Sequence, residues 1–178
     1  MNSDTRAELG AVPGVAPMRD AATHGFVFNH SMLRVKDPQV SLDFYTRVLG
    51  FCLVRTAHFA EGGFSLYFLV LVDDVSDIPD DEGERRHWLA CQRGVLELTH
   101  NHGTETRDGP VYHDGNSEPR GFGHLCVSVP DVRHACARLE ALGVPFQKRL
   151  QDGSMKSIAF IKDPDGYWIE LIQPTPLD

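Results

Sequence analysis

Polar and apolar positions alternate through Asn29-His-Ser-Met-Leu-Arg-Val35, the two-residue period of a strand with one face toward a core. Asp37-Pro38 then offers a side-chain cap followed by proline at the first helical position. Val40, Phe44, Tyr45, Val48 and Leu49 fall on one helical stripe, and Gly50 stands where a left-handed C-cap belongs. Three strand-like runs follow, Phe51 to Thr56, Phe64 to Val72 and Gly94 to Thr99. The same order then recurs. His124 to Val129 predicts a strand, and Asp131 caps a helix with the stripe Val132, Ala135, Cys136, Leu139 and Leu142, ending at Gly143. Pro145 to Leu150, Ser157 to Lys162 and Tyr167 to Gln173 predict three more strands, the last two joined by the turn Asp163-Pro-Asp-Gly166. Each half reads as a β-α-β-β-β module, and the fold class is α+β.

The modules span 24–101 and 121–178. Residues 1–23, rich in Gly, Pro and Ala, read as a flexible N-terminal tail without the apolar stretch of a signal peptide. Residues 73–86 carry seven acids against two arginines, a composition expected to form a solvated insertion rather than to pack. Residues 102–120 read as a linker or active-site loop.

Composition narrows the function. The 178 residues are 42% hydrophobic and carry a net charge of -8, which suits a globular chain and argues against a nucleic-acid partner. No run approaches the roughly 20 apolar residues of a membrane span, so the expected location is cytoplasmic. Cys52, Cys91, Cys126 and Cys136 lack C-x-x-C spacing and are expected to be buried, reduced thiols.

The duplication sharpens the candidate chemistry, because equivalent slots in two modules can be compared. His30 and His124 each begin the first strand of a module, and Glu97 and Glu170 each sit in the middle of the last, flanked by Leu or Ile. A lone glutamate in a largely buried strand loses several kcal/mol of solvation unless something compensates. Two such glutamates matched with two such histidines point to a cage of two imidazoles and two carboxylates, a donor set suited to Zn, Ni, Co or Mn.

With those residues in place, the chain resembles the glyoxalase I (lactoylglutathione lyase) family of the vicinal oxygen chelate superfamily, from about Phe28 to Pro174. The segments that carry the resemblance are Ser31 to Pro38, Ser41 to Gly50, Leu96-Glu-Leu-Thr-His-Asn101, Pro119-Arg-Gly-Phe-Gly-His124 and Asp163-Pro-Asp-Gly-Tyr-Trp-Ile-Glu170. The resemblance implies a vicinal oxygen chelate fold and His30, Glu97, His124 and Glu170 as metal ligands. It also implies a homodimer whose metal sites each take one His/Glu pair from each subunit. The implied reaction converts the hemithioacetal of methylglyoxal and glutathione to S-D-lactoylglutathione through a metal-stabilised enediolate, with Glu170 as primary base and Glu97 serving the opposite face. Glutathione contacts are implied at Arg34, Asn101, Arg120 and Lys148, whose cationic members suit its carboxylates.

Three departures from the family pattern bear on metal and ligand. Eukaryotic relatives have Gln where this chain has His30, Ser154 stands where relatives carry Lys, and His102 replaces a Trp. The histidine points to the nickel-activated bacterial form, whereas the acidic insertion and long linker point to the zinc form. Zinc is favoured, with nickel or cobalt as alternatives. A metal-free drug-binding protein and another metalloenzyme of the same superfamily are the competing functions.

Overall fold

The computed structural model describes residues 12–16 and 18–175. Residues 1–11 and 17 of the expected tail lie outside the described residues, and the rest of it includes one short 3-10 turn at Ala21–Thr23. Both modules form as expected. The first contains β1 (His30–Val35), α1 (Pro38–Asp43), β2 (Cys52–Phe59), β3 (Phe64–Val70), α2 (Glu82–Cys91) and β4 (Val95–Asn101). The second contains β5 (His124–Ser128), α3 (Val132–Ala141), β6 (Phe146–Lys148), β7 (Ala159–Lys162) and β8 (Trp168–Ile172).

Each module closes a four-stranded sheet, in the orders β1-β4-β3-β2 and β5-β8-β7-β6. In both, the first strand pairs parallel with the last, which brings the His-bearing and Glu-bearing strands side by side. The pairings Met32–Glu97 and Cys126–Glu170 show the same register in the two sheets.

Asp37 accepts from the backbone N–H groups of Gln39 and Val40, and Pro38 presets the first turn of α1. The helix then widens into a π turn at Phe44–Val48, where Leu49 N–H reaches Phe44 O at 3.1 Å. The wider turn buries Phe44, Tyr45 and Val48 together, and Gly50 ends it at φ 82°. Val40, placed on the buried stripe by its spacing, is half-exposed in the first turn. In α3, Asp131 caps the first turn and Val132, Cys136 and Leu139 are buried, whereas Leu142 lies at the C-cap and points out where the chain turns away.

One hydrophobic core serves both modules. Leu33, Val35, Tyr45 and Leu98 of the first pack in a single cluster with Val132, Leu139, Ile161 and Ile169 of the second. Each such side chain contributes roughly 1.5–3 kcal/mol by leaving water. Because successive strand residues point to opposite faces, committing Leu33 and Val35 to this core turns His30, Met32 and Arg34 outward. The same alternation turns His124 and Cys126 away from the core-facing Leu125 and Val127.

The acidic insertion departs from expectation. Its second half starts α2, capped where Asp81 accepts from Glu84 N–H at 2.9 Å. Leu89 seats the helix against Val54, Val70 and Val95, with Trp88 at the margin. Two apolar residues near its C-terminal end suffice to dock a helix whose acidic first turn stays in water. Residues 102–120 contain one short 3-10 turn, Thr104–Thr106. No helix among the described residues is long and apolar enough to cross a membrane.

Candidate functional site

Each outward sheet face presents one His/Glu pair. His30 Nε2 lies 3.4 Å from Glu97 Oε2, and His124 Nε2 lies 3.3 Å from Glu170 Oε2. The environments match as well, with histidine side chains 44% and 41% exposed and glutamates only 13% and 19% exposed. Among the described residues no three His, Cys, Asp or Glu side chains gather as a metal-binding group. A single chain therefore offers two half-cages, and the four expected ligands do not converge within it.

The donor chemistry of each half fits a divalent ion. His30 Nδ1–H donates to Asn29 Oδ1 at 2.8 Å, so the neutral ring carries its proton there and turns the Nε2 lone pair toward Glu97. In that neutral form Nε2 and Glu97 Oε2 are two acceptors facing one space, an arrangement that a cation relieves. Donors about 2.1 Å from a common ion stand roughly 3.0–3.4 Å apart, which is the spacing found in both pairs.

Around the pairs the two faces repeat further. Phe68 is the cross-strand neighbour of Glu97, and Phe160 is that of Glu170. His30 meets Phe68 edge-on with centroids 6.4 Å apart, and His124 meets Phe160 at 5.2 Å. These aromatics, absent from the sequence-based candidates, wall each pair on one side. The matched register would have found them, since each stands opposite a matched glutamate.

The residues around the two glutamates break the symmetry. Thr99 Oγ1 donates to Glu97 Oε1 at 3.3 Å, whereas the slot two residues beyond Glu170 holds Ile172. Beside Glu170 stands Cys126, and beside Glu97 stands Met32. Partial covering by the sheet face and the hydrogen bond and charge of Glu170 push the Cys126 thiol up to about 11, so it stays protonated at neutral pH although its residue is exposed. Cys126 and Cys91 are exposed and Cys52 is only partly covered, which corrects the expectation of four buried thiols and leaves Cys136 alone in the core. The period-two alternation that turns His124 outward turns Cys126 outward too.

The expected glutathione contacts are dispersed. Arg34 is exposed on the face that carries His30, and Asn101 ends β4 on the same face, donating to Tyr112 Oη at 3.0 Å. Lys148 Nζ in the second module donates to the carbonyls of Arg149, Met155 and Ile158. Arg120 is exposed and pairs with Glu118 at 3.0 Å. His102 bonds to Ser65 Oγ at 2.9 Å and stacks on His58, and Ser154 is exposed.

Residues 27–171 match the Glyoxalase/Bleomycin resistance protein/Dioxygenase superfamily. A lactoylglutathione lyase of Pseudomonas putida is 64% identical over 170 residues, covering 96% of this chain and 98% of its own length. A lactoylglutathione lyase of Pseudomonas aeruginosa is 55% identical over 161 residues, covering 90% of each chain. Among solved structures, the trypanothione-dependent glyoxalase I of Leishmania major superposes with a TM-score of 0.63 at 30% identity, over 84% of this chain and 87% of that one. The chain belongs to the glyoxalase I (lactoylglutathione lyase) family within that superfamily.

Proposed function

We propose that this chain is a metal-dependent glyoxalase I that converts the hemithioacetal of methylglyoxal and glutathione into S-D-lactoylglutathione, acting as a homodimer. The observation that carries the reading is the pair of matched half-cages on faces turned away from the shared core. A second copy that sets its His124/Glu170 pair against the first copy's His30/Glu97 pair completes a four-ligand site, and symmetry makes two such sites. The relatives named lactoylglutathione lyase supply the reaction class.

Zinc is the favoured ion, with nickel or cobalt as alternatives, since imidazole and carboxylate without thiolate suit all three. Bound there, the ion would act as a Lewis acid, lowering the cost of negative charge on the substrate's two neighbouring oxygens. Glu170 takes the proton from one carbon and returns it to the next. Glu97, held by Thr99, lies on the opposite side of the substrate. Phe68 and Phe160 exclude water from the reacting carbons. Arg34 and Asn101 of one copy, with Arg120 and Lys148 of the other, clamp the glutathione carboxylates and fix the carbon acid near its base. Lys148 exchanges backbone carbonyls for the ligand as it does so.

The test is to strip the protein with a chelator, add zinc, nickel or cobalt singly, and follow thioester formation from methylglyoxal with and without glutathione. The reading predicts activity that needs both a metal and glutathione. Full turnover in the stripped protein, or equal turnover without glutathione, would overturn it.

A further inference from the structure

The helix α2, which begins inside the acidic insertion and runs past its end, reaches the candidate metal centre. Three backbone carbonyls at the C-terminal end of α2, those of Leu89, Ala90 and Gln92, converge on Asn29 Nδ2 at 2.9, 3.2 and 3.1 Å. Carbonyls only accept, so the side-chain amide must present its NH2 to the helix. That leaves Oδ1, also an acceptor only, 2.8 Å from His30 Nδ1. The helix thereby fixes the amide, the amide holds a proton on Nδ1, and in the neutral ring Nε2 faces Glu97 as a lone pair. The backbone is tied at the same point, where Val95 N–H donates to Asn29 O at 2.9 Å as β4 begins. The second half-cage has no counterpart, because Gly123 precedes His124.

We propose that Asn29 is the positioning residue of His30, and that α2, seated by Leu89 on Val54, Val70 and Val95, is the buttress that holds it. The helix that starts in the acidic insertion is thus part of the site's architecture. It aligns one of the two imidazoles before any ion arrives. The metal clause of this inference rests on the function proposed above, whereas the ring's tautomer does not.

Two measurements test it. Long-range 1H–15N spectra of the metal-free wild-type protein should show His30 as the Nδ1–H tautomer, and an Nε2–H tautomer would overturn the proposal. Zinc affinity of the stripped full-length chain, read by competition with a chromogenic chelator, should fall about 10–100-fold in Asn29→Leu, the usual cost of losing an outer partner of a metal ligand. The fall should be several-fold smaller in Asn29→Asp, which keeps an acceptor for Nδ1–H. Wild-type zinc affinity in a folded Asn29→Leu protein would also overturn the proposal. If the wild-type chain itself takes up no zinc, the metal reading fails, and the tautomer alone then decides the role of Asn29.

Discussion

Tyr45 in the π turn of the first module donates its hydroxyl to Asp163 Oδ2 in the second, at 2.8 Å, inside the shared core. The other carboxylate oxygen of Asp163 accepts from the backbone N–H groups of Asp165 and Tyr167, at 3.0 and 2.8 Å. The bond pins the two modules in one relative position, and with it the two outward faces. Tyr45→Phe leaves that carboxylate oxygen buried with no donor, so it should cost about 1–3 kcal/mol. Urea unfolding of the variant measures the loss, and no measurable loss would remove this bond from the account.

The same residue gives a pH dependence. Burial pushes the Asp163 carboxyl from 3.8 up to about 7, while Tyr45 and the two backbone donors act the other way. In the unfolded chain the group ionises near its ordinary value, whereas the folded chain keeps the proton. Its contribution to stability is therefore complete below about pH 4 and is lost as pH rises toward 7. Asp163→Asn keeps an acceptor for the two backbone N–H groups and offers Tyr45 Oη a donor. Relative to wild type, its melting temperature should rise as pH goes from 4 to 7, and a constant difference across that range would contradict the assignment.

Glu97 and Glu170 occupy the same register slot with different neighbours, the Thr99 hydroxyl bonding Glu97 and the Cys126 thiol bonding Glu170. Glu170→Gln should fold and dimerise but lose about 10²–10⁴-fold in turnover, the range of a missing general base. Turnover close to wild type would refute the base assignment. Thr99→Val removes the tether on Glu97 and should bring metal affinity down with little change in thermal stability, read by chelator competition and melting.

The docking of α2 has its own consequence. Leu89 is its buried residue, 7% exposed, against Val54, Val70 and Val95. Leu89→Ala should cost roughly 2–4 kcal/mol in chemical denaturation. A cost under about 0.5 kcal/mol, the level of an ordinary surface change, would mean the helix is not seated as described.

The duplication made much of this legible in the amino-acid order. Asp37-Pro38, Gly50, Asp131 and Gly143 marked both helices, and matched slots picked out His30, Glu97, His124 and Glu170 as two pairs. The helix α2 was not legible, because its first half is charged, with Glu82, Glu84, Arg85 and Arg86, and most of its seat is built from β2 and β3, whose Val54 and Val70 precede it in the chain. Phe68 and Phe160 read as ordinary strand residues until the antiparallel register set them beside the glutamates. The role of Asn29 depends on three carbonyls some 60 residues away, contacts that no local pattern announces.

The central claim is that each site is completed by two copies, one giving His30 and Glu97 and the other His124 and Glu170. Complementation tests it most directly. A chain carrying His30→Ala and Glu97→Ala and a second carrying His124→Ala and Glu170→Ala should each be inactive alone. Unfolded together and refolded, they should regain thioester formation, because each mixed dimer contains one intact four-ligand site. A refolded mixture that contains mixed dimers and stays as inactive as its components would contradict the claim.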